Sequence, residues 1–363
     1  MSTLRVEALE QPDGTAFVFN NKNLLINGAM NIWQRSTSET GITSGAYHTV
    51  DRWHTALTTA GTWTQSRTTD VPSAQGFGYS LKMDCTTADA SLGSADVLTV
   101  LQRFEGQNLQ HLLKGTSSAK KLTLSFWVKS NKTGTYIAEL FDNDNTRQIS
   151  KSYTIDTANT WEKKTITYDG DTTGTLDNDN EQSLRVIFWL AAGSNFTSGT
   201  LNTSWATSTN ANRVVGNVNL ADSTSNEWYI TGCQLEVGST ASGFEFEPYD
   251  KILARCYRYY NKLITDSTGK RCGFAQGENT TNTIAVFVLP TALRGVPSIV
   301  ENDMVLRNGG LNYTINSITT IAPDLPDRNY FSFFCISSGL TATRTYQLRF
   351  NSASSYMEFD SEL

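Results

Sequence analysis

Apolar side chains return at every second position in a series of short runs between residues 123 and 238, with turns rich in Gly, Asn and Asp between them. TLSFWVKS (123–130) sets Leu124, Phe126 and Val128 against Thr123, Ser125 and Trp127. Both of its faces are partly apolar, as a central strand requires. GTYIAELFDND (134–144), KSYTIDT (151–157), EKKTITYDG (162–170), SLRVIFWLAAG (183–193) and EWYITGCQLEVG (227–238) continue the pattern. Short strands recurring with turn signals between them predict an antiparallel all-β sandwich. FEGQNLQHLL (104–113) interrupts the alternation: Phe104, Leu109, Leu112 and Leu113 fall at loosely helical intervals before Gly115, which predicts a short helix. Residues 23–53 open the domain with an expected strand, an apolar run at Leu24–Ile26 and an arginine near each end, Arg35 and Arg52, free to pair. Trp33, Trp53, Trp127 and Trp189 are expected in the core.

Beyond residue 248 the period changes. In YDKILARCYRYYNKLI (249–264), Ile252, Leu253, Cys256, Tyr259, Tyr260 and Leu263 form an apolar stripe of helical spacing, with Asp250 placed to cap it. Such a helix either packs on its own sandwich or meets two copies of itself on a threefold axis. Residues 265–363 return to strand signals and predict a second, smaller β domain. Residues 1–22 are too short to fold alone and are expected to be an arm that pairs with another protein or subunit. The expected division is therefore 1–22, 23–248, 249–264 and 265–363. No long-period repeat supports a solenoid or shaft.

Composition narrows the function. A net charge of −6 argues against a nucleic-acid partner, which needs a basic face. No apolar run is long enough to span a membrane, and the first residues lack the layout of a secretory signal. The five cysteines are scattered and match neither a zinc site nor a disulfide framework. Hydrolase and nucleotide-binding motifs are absent, and nearly every acid falls in a turn, so no catalytic residue is expected. Asp142, Asp144, Asp177 and Asp179 lie in Asp/Asn-rich segments that read either as ordinary turns or as calcium ligands, although none fits the full EF-hand loop. Trp205, in the polar loop 195–213, and Tyr330, Tyr346 and Tyr356, in the aromatic-rich last segment, are the candidates to stack on a ligand ring.

Three stretches carry a family resemblance: NLLINGAMNIWQR leading to DRW (23–53), LQRFEGQNLQHLLKGTSSAKKLTLSFWVKSNKTGTY (101–136) and WYITGCQLEVGSTASGFEFEPYDKILARCYRYY (228–260). A fourth, Leu289 to Ile299, has the form LPxxLRxxPxI. Together they resemble the tail-fibre and receptor-binding proteins of tailed bacteriophages. The short helix before SFWVK also resembles the jelly-roll carbohydrate-binding modules. The resemblance implies a jelly-roll-type sandwich, a linker helix and a C-terminal knob. It implies a homotrimer, with Ile252, Leu253, Cys256, Tyr260 and Leu263 as candidate seam residues. The arm would join other tail proteins, and the particle would attach without catalysis to a bacterial surface polysaccharide or lipopolysaccharide. The protein would be made in the host cytoplasm and reside in the virion. Receptor contact is expected in the last hundred residues and largely independent of salt. The alternative is a baseplate or head-decoration protein that binds no receptor.

Overall fold

The computed structural model describes residues 22–321 and 330–363, so the expected attachment arm lies outside the described residues apart from Lys22. The first domain contains β1 (Ser38–Ala46), β2 (His54–Thr68), β3 (Ser80–Thr87), β4 (Val97–Glu105), β5 (Leu122–Ser130), β6 (Gly134–Asp142), β7 (Arg147–Ile155) and β8 (Glu162–Tyr168). It continues with β9 (Gln182–Ala192), a single helical turn α1 (Ser194–Thr197), β10 (Ala206–Thr207) and β11 (Glu227–Val237). The hydrogen-bonded order is β10-β7-β6-β9-β4-β2-β3-β11-β5-β8, with β1 on β2.

This path folds back on itself because β2 serves two layers. His54–Thr59 pairs with β4, and Thr62–Thr68 pairs with β3. The corner between them uses Thr59 at φ 50° and Gly61 at φ 80°. A Cβ at Gly61 would stand 2.5 Å from the Thr87 carbonyl, so glycine is required by space as well as by torsion. The two layers meet through aromatic rings. Phe126 of β5 packs edge-on against Tyr153 of β7 and Phe188 of β9, each at 5.0 Å, and Phe188 meets Trp228 of β11 at 6.1 Å. Burial of side chains this size contributes about 1.5–3 kcal/mol each. The result is the expected jelly-roll-type sandwich.

Three local expectations are corrected. Residues 23–37 form no strand. Asn27, at φ 59°, accepts from the Asn31 and Ile32 amides and donates to the Ile32 carbonyl, so the apolar run enters the core as a bonded loop. The predicted helix 104–113 begins as the end of β4 and continues as two 3-10 turns, Gly106–Asn108 and Gln110–Leu112. Its buried Leu109 and Leu112 are three residues apart, the 3-10 repeat. Trp127 faces outward and is half-buried, since its neighbours Phe126 and Val128 take the inner side.

The linker helix α2 is Tyr249–Tyr257, shorter than expected, and the chain becomes a strand at Tyr260. Ile252 and Cys256 are buried against Ile32, with Leu253 and Ile26 packed beside them. Tyr260 is buried under the Arg35 guanidinium, 3.6 Å from its ring centre, and Leu263 packs on the second core. The apolar stripe is thus filled from within one chain, and the seam expected from it is not an open surface.

The second domain holds β12 (Tyr260–Ile264), β13 (Arg271–Gly277), β14 (Asn282–Val288), β15 (Ser298–Asn302), β16 (Met304–Asn308) and β17 (Leu311–Thr314). β18 (Ser317–Ile321), β19 (Tyr330–Ile336), β20 (Thr345–Phe350) and β21 (Tyr356–Asp360) complete it. A three-stranded sheet, β12-β21-β15, packs on a seven-stranded one, β17-β16-β20-β13-β14-β19-β18, through Phe359 against Phe287 at 5.7 Å.

Ion pairs join the two domains. Arg35 pairs with Asp360 at 3.0 Å, and Arg52, 1% exposed, pairs with Glu362 while stacking 3.4 Å from the Tyr259 ring centre. Arg294 donates to the carbonyls of Asn180, Ser361 and Glu362. The arginines of the 23–53 and 289–299 stretches therefore connect the sandwich to the second domain.

Candidate functional site

Where β4 leaves the sandwich, its last residues and the two 3-10 turns face α2 across a cleft of about 660 Å³. The volume falls in the range of small-ligand sites. Phe104, Leu109 and Tyr259 supply apolar wall, and Asn23, Gln107, Asn108, His111, Arg255 and Arg258 supply polar groups. The sequence builds this rim locally. The 3-10 turns push Gln107, Asn108 and His111 outward as exposed side chains, while Leu109 and Leu112 anchor the turns beneath.

At the base sits Glu105, wholly buried. It accepts from Arg258 Nε at 2.7 Å and Nη2 at 2.6 Å, and from the hydroxyl of Tyr259. Burial pushes its carboxyl up, but these bonds outweigh burial and hold it below the usual carboxylate range. Glu247 is engaged by Arg255 at 2.7 Å and Lys251 at 3.0 Å. The cleft thus presents amides and guanidinium edges, and Glu105, its lining carboxylate, is already committed to Arg258.

A second polar and aromatic surface lies on the outer side of β11 and β5. Trp161 donates to Asp70 at 2.9 Å and meets Tyr229 edge-on at 6.2 Å. Lys129 stands 4.2 Å over the Tyr229 ring. This lattice carries no sequence motif. Its members fall on separate strands and face one way only because Tyr229 and Lys129 are directly opposed in register.

The residues expected to touch ligand are dispersed. Trp205 packs on the main core, donates to the Asp169 carbonyl at 2.7 Å and has the Lys114 ammonium 5.0 Å from its ring centre. It closes its own loop. Tyr346 is wholly buried, its hydroxyl accepting from the Thr341 amide at 2.7 Å, so it fills the second core and presents nothing to a ligand. Tyr356 is half-buried with Lys262 4.2 Å from its ring centre. Tyr330 begins β19, and its side chain lies outside the described residues.

The calcium candidates make other bonds in the structure. Asp142 is wholly buried, paired with the Lys114 ammonium and accepting twice from Asn145, at 3.0 Å each. Asp144 accepts from the Asp177 amide at 2.9 Å, a bond between two separate turns, and Asp179 accepts from the Glu181 amide at 3.0 Å within its own turn. Among the described residues no group of three acidic, His or Cys side chains could hold a metal. All five cysteines are free thiols.

No family model and no curated protein matches the chain. Among solved structures it is similar to the enzymatically active domain of tailspike protein 4 of bacteriophage CBA120, at 13% identity and a TM-score of 0.31. That match covers 62% of this chain and 23% of the tailspike domain, so the chain spans about a quarter of that length. TmCBM61, solved with β-1,4-galactotriose, matches at 11% identity and a TM-score of 0.31, over 60% of this chain and 99% of the module. The family 11 carbohydrate-binding module of Clostridium thermocellum, solved with a mixed-linked tetrasaccharide, matches at 12% identity and 0.29, over 57% and 99%.

Proposed function

We propose that this protein is a particle-borne attachment protein, a phage tail fibre, whose sandwich holds a host-surface glycan in the cleft between the 3-10 turns and α2. The observation that carries the reading is the lining of that cleft. Planar amide and guanidinium donors from Gln107, Asn108, Arg255 and Arg258 line it, which suits a sugar's hydroxyls. Binding without cleavage is supported by the state of the acids. Glycoside hydrolysis needs two carboxyl groups about 5–10 Å apart that are free to donate a proton and to attack. Glu105, the one carboxylate among the described residues that line the cleft, is bound to Arg258.

In this reading the terminal domain holds copies together. Strand β14 is apolar on both faces: Ala285 and Phe287 point into the core, while Val286 and Val288 are 59% and 61% exposed. Phe274 on neighbouring β13 is 58% exposed. A strand apolar on both sides is usual where both sides are covered, and the occupant proposed is a second and third copy of this chain. Light scattering should report a trimer, and Val286→Lys with Val288→Lys should release folded monomers. An unchanged mass in that variant would remove this face from the assembly.

The glycan reading is tested by adsorption blocking and by a glycan array. Full-length protein should compete with particles for host cells, and Asn108→Trp, which fills the cleft from an exposed turn position, should abolish competition without altering the melting temperature. A protein that blocks no adsorption and binds no glycan is instead a structural virion component.

A further inference from the structure

The outer face of the sandwich beside the cleft carries more positive charge than it can neutralise. Strand register sets Arg103 of β4 directly opposite Arg185 of β9, and Arg185 opposite Phe141 of β6. Two like charges facing across neighbouring strands are destabilising. A third cation joins them from the covering loop: the guanidinium carbons of Arg185 and Arg213 lie 4.3 Å and 4.8 Å from the centre of the same Phe141 ring.

The acceptors within reach are already used. Glu139, wholly buried one row away, takes Arg213 Nε and Nη2 at 2.9 Å each and the Trp189 indole at 2.8 Å. Arg103 is engaged by the Leu363 carbonyl at 2.7 Å and the Tyr47 hydroxyl at 3.0 Å. Arg185 Nε is buried with no partner. Next along the same row, Gln148 is wholly buried; its carbonyl accepts from Ser208, and its amide nitrogen has no acceptor. A strip of donors thus lacks a matching anion. The electrostatics agree with the geometry: burial, then Arg213, lowers Arg185 to about 10, still charged at neutral pH.

We propose that the glycan bound by this protein is acidic and that one of its anionic groups, a carboxylate or a phosphate, seats on Arg185 between Arg103 and Arg213. The inference rests on the glycan reading above and names its substrate class. Arg103 also lines the cleft, so a polymer lying there reaches Arg185 with an adjoining residue. A planar guanidinium with an unused edge suits either anion. Affinity should then weaken with salt, against the salt-independent binding expected from the sequence.

The test uses full-length protein and three probes: oligogalacturonate, the same oligomer with its carboxyl groups reduced to alcohols, and poly(glycerol phosphate). Calorimetry at low ionic strength should show an anionic probe binding about tenfold or more tighter than the reduced oligomer, the effect of one charge-assisted contact. Arg185→Gln should erase that preference, leave the reduced oligomer's affinity unchanged and leave the melting temperature equal or higher. The carboxylate and phosphate probes show which anion the site prefers. Equal binding of charged and reduced oligomers, or an Arg185→Gln protein that keeps the preference, overturns this inference and leaves the glycan reading intact. Failure of all three probes together with an empty glycan array overturns the glycan reading itself. If the variant does not fold, the melting temperature of the native protein decides: inorganic phosphate should raise it relative to chloride at equal ionic strength, and no difference overturns the anion site.

Discussion

Glu362→Gln should cost about 3 kcal/mol of stability, at the lower end of the range for breaking a buried ion pair. The Glu362 side chain is 4% exposed, and it pairs with Arg52, itself 1% exposed, with Arg35 Nη1 a further 3.5 Å away. Replacing the carboxylate with an amide leaves the Arg52 charge in place without its counter-ion. Two contacts survive and soften the loss: the bond from Arg52 to the Arg103 carbonyl at 2.9 Å, and the stack on Tyr259. A hydrogen bond from a charged donor contributes roughly 1.5–3 kcal/mol, and a desolvated cation–π contact about 2. They keep the cost away from the top of the range. Urea unfolding followed by tryptophan fluorescence measures the change. The double variant Arg52→Met with Glu362→Met removes both charges and should return to within about 1 kcal/mol of the native protein. A single-variant cost below about 1 kcal/mol, the scale of an exposed pair, would refute the claim that this contact joins the domains.

Three further outcomes are expected. Burial, reinforced by Arg103, lowers His54 to about 3, so the unfolded chain takes up a proton below pH 6.5 that the folded chain refuses; stability is therefore complete above that pH and falls by about 1.4 kcal/mol per unit as pH drops below it. His54→Gln should flatten the urea midpoint between pH 6.5 and 4.5 relative to the native protein, and parallel curves would contradict the assignment. Gly28→Ala should cost about 3 kcal/mol, because the added Cβ would fall 2.0 Å from the Cys233 carbonyl; Gly78→Ala, with nothing within 4 Å, should be neutral in the same melting assay.

Strand-length apolar runs between Gly-, Asn- and Asp-rich turns made the sandwich legible, and β5, β6, β9 and β11 are such runs because they are buried on both faces. What failed were segments where side-chain bonding replaces periodicity. Leu24–Ile26 has the apolarity of a strand, but the side chains of Asn23 and Gln102 take the Leu25 and Ile26 amides that a neighbouring strand would have used. The 249–264 stripe reads as one helix because a 3.6-residue period and a two-residue strand period share several positions; Ile252 and Cys256 share the buried face of the helix, whereas Tyr260 and Leu263, three residues apart on β12, fall on opposite faces of a strand. Aromatic content alone misplaced the ligand candidates, since Tyr346 is as apolar in the core as it would be useful on a surface. The arginine row could not be read at all. Arg103, Arg185 and Arg213 are far apart in sequence and meet only through register and a covering loop.

The bonds between the domains also order the protein's synthesis. Arg35 and Arg52 leave the ribosome early, yet Asp360 and Glu362 follow them by 325 and 310 residues. Until those acids arrive, a nascent sandwich holds two cations beside Tyr259 and Tyr260 with their counter-charges untranslated. Closure is thus a late step, conditional on translation of residues 360–362. A chain cut short before residue 360 would present Arg35 and Arg52 without these acids at the face where its second domain should dock.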